Sequence, residues 1–237
     1  MTYLNLLRVN QWLKNLLLFA PIFLANDFNL NDFKNLIIIF FSFSFACSSV
    51  YIFNDLIDIN DDKLHPTKKN RPIASGKISK KESKIVGTFL ILISLIILIF
   101  NENYQLFYFY FFYIFSNYLY TLYLKKKFLV DIIFLVSFYI VRILIGSNVT
   151  DNSVSYWLLI CSVFFFGSLA FLKRGNDVLK YSNISNFKRS YSITDFNFLR
   201  NFFIIFGSLC IITFIFYINS DDSVIIYDNF RILYLIP

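Results

Sequence analysis

Three aspartates follow one another at intervals of three and four residues, close to the end of a long apolar run. Read as one helix from residue 54, Asp55, Asp58 and Asp62 fall within an arc of roughly 60°, because each residue advances an α-helix by about 100°. Carboxylates this close repel one another unless a cation lies between them. Oxygen ligands suit Mg²⁺, which also binds substrate phosphates. The spacing therefore predicts a Mg²⁺ site with Asp61 on another face, and the alternative is a solvated helix end whose aspartates cap the next turn.

Basic residues follow the aspartates in the segment HPTKKNRPIASG, which begins at His65. Lys68, Lys69 and Arg71 form a phosphate-binding set if this loop folds over the metal. The alternative is that they only mark the cytoplasmic side of a membrane protein, where lysine and arginine accumulate. His65 is the only histidine of the chain, and it either contacts a phosphate or Asp62, or is a loop residue without a chemical role.

A second polar segment begins at Lys173 and Arg174. Lys173, Asp177 and Lys180 share one helical face because they stand at positions i, i+4 and i+7. Such a face could hold an anion. An intrahelical salt bridge at the end of an apolar helix is the alternative.

Arg142 lies inside another apolar run, where an arginine is a functional candidate. The alternative is that its guanidinium extends to the nearer membrane interface. Near the start of the chain, Trp12 and Lys14 belong to an amphipathic segment that lies on or enters the membrane. The indole ring of Trp12 and the amine of Lys14 suit the membrane interface.

Composition and hydropathy identify the elements that must position these residues. The chain has 237 residues, of which 57% are apolar and 21% aromatic, and its apolar runs reach membrane-spanning length. We predict an all-α polytopic membrane helix bundle, formed by one transferase domain over residues 1–237, with about seven transmembrane helices and a partial eighth. The predicted spans are residues 15–25, 34–53, 85–100, 104–124, 128–147, 154–172 and 199–217, followed by an apolar tail at 224–237.

The distribution of basic residues orients this bundle. The N-terminal entry holds two Lys or Arg residues, the Asp-rich loop (residues 54–84) eight, the turn at 125–127 three and the segment 173–200 six, which together make 19 of the 22 in the chain. Basic residues accumulate on the cytoplasmic side. We therefore expect a multi-pass protein of the inner (plasma) membrane with its N-terminus and both large polar loops in the cytoplasm. The net charge of +7 reflects this bias and favours contact with membrane lipids rather than nucleic acid.

The motif Asn54-Asp55-x-x-Asp58-x-x-x-Asp62 resembles the first Asp-rich motif of the UbiA superfamily of intramembrane prenyltransferases. More narrowly, the surrounding residues are similar to the branch typified by decaprenyl-phosphate phosphoribosyltransferase. The matching pieces are Arg8, Gln11-Trp12-x-Lys14-Asn15, His65-Pro66-Thr67-Lys68-Lys69-x-Arg71-Pro72-Ile73-Ala74-Ser75-Gly76, Arg142 with Gly146, and Lys173-Arg174.

The resemblance implies a fold of nine transmembrane helices around a cavity with a cytoplasmic active site. It implies Mg²⁺-dependent transfer of 5-phosphoribose from phosphoribosyl diphosphate to a polyprenyl phosphate. In this reading Asp55, Asp58 and Asp62 hold the Mg²⁺-diphosphate. The predicted substrate-binding residues are Lys14, Asn54, His65, Lys69, Arg71, Arg142, Lys173, Arg174 and Asp177.

The chain departs from the superfamily pattern in two respects. Typical members carry a second D-x-x-x-D motif where this chain has Lys173-Arg174-x-x-Asp177. A second carboxylate cluster suits a second metal, whereas a basic pair suits a phosphate monoester such as a lipid phosphate. The chain is also short, and we expect the last helices of the family to be missing.

Two other functions remain open. A prenyltransferase would use the same aspartates to move a prenyl group from a prenyl diphosphate to an aromatic or lipid acceptor. A protein of another class would be a transporter or an inactive, truncated membrane protein. Few spans carry the charged residues that a proton or ion pathway usually requires, which speaks against a transporter.

Overall fold

The computed structural model describes residues 2–24, 28–150, 154–181, 191–220 and 223. Within these ranges the regular elements are all helical, which confirms the predicted all-α class. Short 3-10 helices cover Val9–Phe19, Lys68–Asn70, Leu124–Lys126 and Ile193–Asp195. The α-helices are α1 (Thr2–Leu7), α2 (Ala20–Leu24), α3 (Leu30–Ile57), α4 (Ile59–Leu64), α5 (Lys80–Phe100), α6 (Gln105–Leu122), α7 (Val130–Thr150), α8 (Tyr156–Tyr181) and α9 (Phe196–Ile218).

Five of the seven predicted spans are long and apolar enough to cross a membrane, and they correspond to α3, α5, α7, α8 and α9. The predicted fourth span is α6, an 18-residue helix that carries several tyrosines. The predicted first span is instead the 3-10 helix Val9–Phe19 continued by α2. The predicted partial eighth span at 224–237 lies outside the described residues, so the single domain over 1–237 stays a prediction.

Helix α3 lies at the centre of the bundle, and its small polar residues let neighbouring helices approach closely. The hydroxyl of Ser42 donates to the carbonyl of Ser94 at 3.0 Å, and that of Ser49 donates to the carbonyl of Gly87 at 2.8 Å. Serines at interfaces between apolar helices permit close packing because their side chains are small. Their hydroxyls form hydrogen bonds with the neighbouring helix, so no polar atom is exposed to lipid. These bonds attach α5 along one side of α3.

The N-terminal 3-10 helix packs between α3 and α7. Asn15 donates to the hydroxyl of Ser44 on α3 at 2.9 Å. On α7, a Cβ added at Gly146 would stand 1.9 Å from the carbonyl oxygen of Leu18. Only glycine allows the two backbones to come this close, so Gly146 fixes the depth at which Lys14 and Asn15 enter the bundle.

Helix α9 packs along α8. The hydroxyl of Ser168 donates to the carbonyl of Phe203 at 3.1 Å. Cys161 and Cys210 face each other across the interface, and each thiol donates to the other's carbonyl at 3.7 and 3.6 Å. Both cysteines thus act as small packing residues at this interface.

Replacing Gly146 with alanine should destabilise the protein, because the new methyl group would overlap the Leu18 backbone rather than a movable side chain. We expect a loss of about 1–3 kcal/mol in the free energy of unfolding, as is usual for an overfilled core. Thermal unfolding of the detergent-solubilised protein measures this change. Gly207→Ala is the matched control, since its Cβ would lie 3.5 Å from the Ser168 hydroxyl in ordinary contact. Equal stability of the two variants would contradict the close approach.

Candidate active site

The predicted single helix through the three aspartates is wrong at Asp58. Helix α3 ends at Ile57 and α4 begins at Ile59, with Asp58 between them at φ −88° and ψ 10°. The stripe of three carboxylates is therefore divided. Like charges repel along a continuous stripe, and each of the three carboxylates has found a basic partner instead.

Asp55 and Asp62 converge on one arginine. The Nη1 atom of Arg71 donates to Oδ1 of Asp55 at 2.9 Å and to Oδ2 of Asp62 at 2.6 Å. Asp55 also accepts a hydrogen bond from Nη2 of Arg8, at the junction between α1 and the first 3-10 helix. Both carboxylates are almost fully buried, at 3% and 2% exposure. Because buried carboxylates are costly without a partner, these bonds fix the Asp-rich loop and the N-terminal segment together.

Asp58 has a separate partner. The Nζ atom of Lys125, in the turn between α6 and α7, lies 2.5 Å from Oδ1 and 2.6 Å from Oδ2 of Asp58. Both oxygens of this carboxylate are thus engaged by one ammonium group. Three carboxylates and three basic side chains balance in charge across this cluster, which we call the aspartate cluster (Arg8, Asp55, Asp58, Asp62, Arg71 and Lys125).

The aspartate cluster fits a divalent cation in part. In the described part of the chain, no three His, Cys, Asp or Glu side chains come together as a complete metal site. Asp55 and Asp62 nevertheless accept from the same nitrogen of Arg71, so their oxygens already converge on one cationic position. Oxygen donors arranged in this way suit a hard ion such as Mg²⁺. Asp58 can join them only after Lys125 releases it.

A cavity of about 120 Å³ opens beside the aspartate cluster, between the N-terminal 3-10 helix and α3, α6 and α7. Nine of the twelve lining side chains carry a hydroxyl, amide or basic group, but apolar atoms, including those of four tyrosine rings, form the larger part of the cavity surface. The lining residues are Lys14, Val50, Tyr51, Asn54, Tyr113, Asn117, Tyr120, Thr121, Leu135, Phe138, Tyr139 and Arg142.

Arg142 forms part of the inner wall of this cavity and does not extend to the membrane interface. It is 3% exposed. Its Nε atom donates to Oδ1 of Asn15 at 2.9 Å, and its Nη2 atom donates to the hydroxyl of Tyr113 at 3.2 Å. The guanidinium also lies 5.4 Å from the ring centroid of Phe43 and 5.8 Å from that of Tyr139. Within the described residues, no carboxylate forms a salt bridge with it, so neutral dipoles and aromatic faces hold this charge.

Lys14 adds a second positive charge to the cavity. Burial, together with the positive charges of Lys173, Arg142 and Arg8, lowers the pKa of its amine to about 8. Four basic groups are therefore near enough to affect one another. An anion in the cavity would relieve this repulsion, which makes the cavity a candidate phosphate site.

Arg174 is committed to partners inside the protein. Its Nε atom donates to Oδ2 of Asp131 at 2.5 Å, its Nη1 atom to Asp177 at 3.0 Å, and its Nη2 atom to the hydroxyl of Tyr120 at 3.2 Å. Tyr191 donates its hydroxyl to the other oxygen of Asp131, and burial raises the pKa of this phenol. A phosphate contact by Arg174 stays a prediction, and the structure gives it the role of closing a buried ionic cluster.

The remaining predicted residues lie around the Asp-rich loop. Asn54 lines the cavity next to Asp55. Nδ1 of His65 accepts from the amide of Lys68 at 3.3 Å, which agrees with a loop-forming role. Burial lowers the pKa of His65, Lys68 lowers it too, and the carboxylate of Asp177 acts in the opposite direction. The Asp-rich loop therefore lies near Asp177 on α8.

Lys69 is exposed at the surface of that loop. Two members of the aspartate cluster were not among the predicted site residues, namely Arg8 and Lys125. Arg8 stood only among the residues that carry the resemblance. Lys125 begins a run of three lysines, and no local signal separates it from Lys126 and Lys127. The pairing with Asp58 depends on how the turn after α6 folds back onto the Asp-rich loop.

The chain is similar to a known protein family over most of its length. A family model described as the UbiA prenyltransferase family matches residues 16–219. The chain is similar to nodulation protein NoeC of Azorhizobium caulinodans, at 32% identity over 179 residues that cover 75% of this chain and 58% of the relative. It is also similar to decaprenyl-phosphate phosphoribosyltransferase of Mycolicibacterium smegmatis, at 32% identity over 168 residues, 68% of this chain and 52% of the relative. The chain thus spans about half the length of these two relatives.

Among solved structures, a UbiA homolog from Archaeoglobus fulgidus bound to DMAPP and Mg²⁺ superposes with a TM-score of 0.79 and 17% identity. The match covers 98% of this chain and 83% of that one. This likeness confirms the predicted UbiA-like helix bundle.

Substitution of the adjacent residues Lys173 and Arg174 should have different effects. Arg174→Met leaves Asp131 buried without its charged partner, and breaking such a buried pair costs about 3–5 kcal/mol of unfolding free energy. Lys173→Met, at an exposed position one residue away, should change stability far less. Thermal unfolding in detergent measures both.

Asp131→Asn combined with Arg174→Met gives the control. Removing the negative charge of Asp131 should restore part of the stability that Arg174→Met loses. Unfolding temperatures that fall equally for Lys173→Met and Arg174→Met would contradict the structural role of Arg174.

Proposed function

Because the chain belongs to the UbiA prenyltransferase family, we propose that it is a membrane-embedded, Mg²⁺-dependent transferase that takes its group from a diphosphate donor. The donor that we propose is phosphoribosyl diphosphate, and the acceptor is a polyprenyl phosphate. The named activity of the Mycolicibacterium smegmatis relative supports this choice. The product would be a lipid-linked sugar phosphate, a type of precursor used for glycans of the cell envelope.

The observation that carries the proposal is the chemistry of the cavity beside the aspartate cluster. Lys14 and Arg142 supply positive charge, and Tyr51, Asn54 and Asn117 are among the groups that can bond to hydroxyls. A prenyl chain could cover the apolar part of the lining, but it has no hydrogen-bonding atoms for these polar groups. A ribose that carries a phosphate has hydroxyls and an anion that match them.

Each element of the site has a proposed task. Asp55 and Asp62, joined by Asp58, would hold Mg²⁺, which when bound draws charge from the diphosphate leaving group. Asn54 lies beside Asp55 and would orient the donor. Arg142 is held in place by its neighbours, and its positive charge would attract the phosphate of the ribose, which favours catalysis by preorganisation.

The acceptor requires a second anion site near the membrane surface. Lys173 is exposed at the cytoplasmic end that we propose for α8, and its charge acts on Lys14 inside the cavity. It would bind the lipid phosphate there. An oxygen of this phosphate then attacks the anomeric carbon of the ribose, the bond from that carbon to the diphosphate breaks, and diphosphate leaves. Since the lipid phosphate is the nucleophile, the protein contributes binding, orientation and charge.

A prenyl donor is the second candidate. The solved UbiA homologs from Archaeoglobus fulgidus are bound to DMAPP or GPP together with Mg²⁺. A short prenyl diphosphate would place its diphosphate on the same aspartates.

Membranes that contain the protein should transfer radiolabel from phosphoribosyl diphosphate to a lipid-extractable product when polyprenyl phosphate and Mg²⁺ are supplied. Arg142→Met should reduce this transfer about ten- to a hundredfold, because it removes charge-assisted hydrogen bonds worth about 1.5–3 kcal/mol each. Lys127→Met, at an exposed position, should leave the transfer unchanged. The Mycolicibacterium smegmatis enzyme serves as the positive control.

Label that enters lipid only from a prenyl diphosphate would reject the phosphoribosyl donor and favour the second candidate. Transfer that persists after chelation of Mg²⁺ would reject the metal requirement.

The proposed location is the plasma membrane, with the N-terminus and both polar loops facing the cytoplasm. The positive-inside bias of the basic residues supports this orientation. A cysteine introduced at Lys68 should therefore resist a membrane-impermeant thiol reagent in intact cells and react after the membrane is opened. A cysteine at Asn103, in the short turn between α5 and α6, should show the opposite pattern. Labelling of the Lys68→Cys variant in intact cells would show that the orientation is the opposite of the proposed one.

A further inference from the structure

The three aspartates of the aspartate cluster carry no unbalanced negative charge. Arg8, Arg71 and Lys125 come from three separate parts of the chain, and together they neutralise Asp55, Asp58 and Asp62. A divalent cation that approaches this cluster meets three carboxylates whose charge is already compensated. The net Coulomb attraction between the cation and this cluster is therefore weak.

Lys125 also obstructs the third carboxylate directly. Its ammonium engages both oxygens of Asp58 at 2.5 and 2.6 Å, and each side chain of the pair is only 19% exposed. A pair that is four-fifths buried is poorly screened by solvent, so its attraction exceeds that of a surface ion pair. A metal ion that takes Asp58 as a ligand must first separate this pair and leave a lysine without its partner.

A diphosphate removes that obstacle because it brings its own negative charge. Lys125, Arg71 and Arg8 can then turn from the carboxylates to the phosphate oxygens, and the carboxylates become available to the metal. Arginine suits this exchange since it binds carboxylate and phosphate oxygens with the same planar donor geometry.

We propose that Lys125 acts as a gate that makes metal binding depend on the diphosphate, so that the protein binds metal and diphosphate together and binds the metal alone weakly. This inference rests on the proposed function, since it assumes that the aspartates receive a metal-diphosphate. It assigns Lys125 as a positioning residue whose effect is on metal affinity. By thermodynamic linkage, the factor by which diphosphate strengthens metal binding equals the factor by which metal strengthens diphosphate binding.

Metal binding can be measured without any reaction. The purified protein in detergent is dialysed against radioactive Mn²⁺ at a fixed free concentration, with and without inorganic pyrophosphate as the diphosphate probe. In the wild type we expect pyrophosphate to strengthen Mn²⁺ binding by about tenfold or more, within the usual range of coupling between sites. Labelled pyrophosphate titrated with and without Mn²⁺ should give the same factor.

Lys125→Met tests the gate. It frees both oxygens of Asp58, so Mn²⁺ alone should bind about tenfold more tightly than to wild type, and the strengthening by pyrophosphate should shrink. Lys126→Met removes the same charge from an exposed position in the same turn, and it should behave like wild type. Lys125→Arg keeps the positive charge and should retain weak binding of Mn²⁺ alone.

A second variant protects the test against misfolding. Lys125→Gln replaces Lys125→Met if the unfolding temperature of the latter falls sharply. Asp58→Asn combined with either variant should cancel the gain, because the carboxylate released by the substitution is then absent.

The outcomes distinguish this inference from the proposed function. If wild type binds Mn²⁺ alone as tightly as with pyrophosphate, or if Lys125→Met and Lys125→Gln bind it no better than Lys126→Met, the gate is rejected while the metal site stands. If the protein binds no Mn²⁺ even with pyrophosphate, the proposed metal site fails and the gate fails with it.

Discussion

The assembly of this protein depends on the cost of burying charge at the edge of a membrane. A carboxylate or guanidinium taken from water into a protein interior needs a partner of opposite sign or several dipoles. Asp55 and Asp62 are almost fully buried, and their arginine partners come from the N-terminal segment and from the loop after α4. Pairing these charges thus determines how the polar segments meet above the helices.

Charge compensation is uneven across the site, and the difference separates two functions. The aspartate cluster is balanced, with one basic side chain for each carboxylate. The neighbouring cavity holds Lys14 and Arg142, and within the described residues neither has a carboxylate partner. In a balanced cluster, a metal-diphosphate can take the place of the basic side chains that pair with the carboxylates. A cavity with excess positive charge instead favours binding of an anion. Under the proposed function these are the two ends of one donor molecule.

Local sequence signals were sufficient for most of the helices, and they singled out the three aspartates that the structure brings into one ionic cluster. Long apolar runs predict helices such as α5 and α7 because hydropathy acts on each segment separately. The break at Asp58 was not predictable, since a continuous helix through the motif satisfies every local preference. Asp58 pairs with Lys125, 67 residues further along the chain, and a contact between such distant residues leaves no local signal. The 3-10 helix Val9–Phe19 also contacts a residue far away in the sequence, since the Leu18 backbone lies against Gly146.

The basic pair at the end of α8 shows why residues adjacent in sequence should not be read as one unit. Successive residues of an α-helix point about 100° apart, so two neighbours leave the helix on different sides. Arg174 is directed into the bundle, where Asp131 and Tyr120 receive it. Lys173 is left on the exposed side, near enough to act on Lys14. Under the proposed function, a lipid phosphate at this position would therefore be bound by Lys173, while Lys14 serves the donor inside the cavity. Arg174 would hold α8 in the rotation that presents Lys173 to the lipid phosphate.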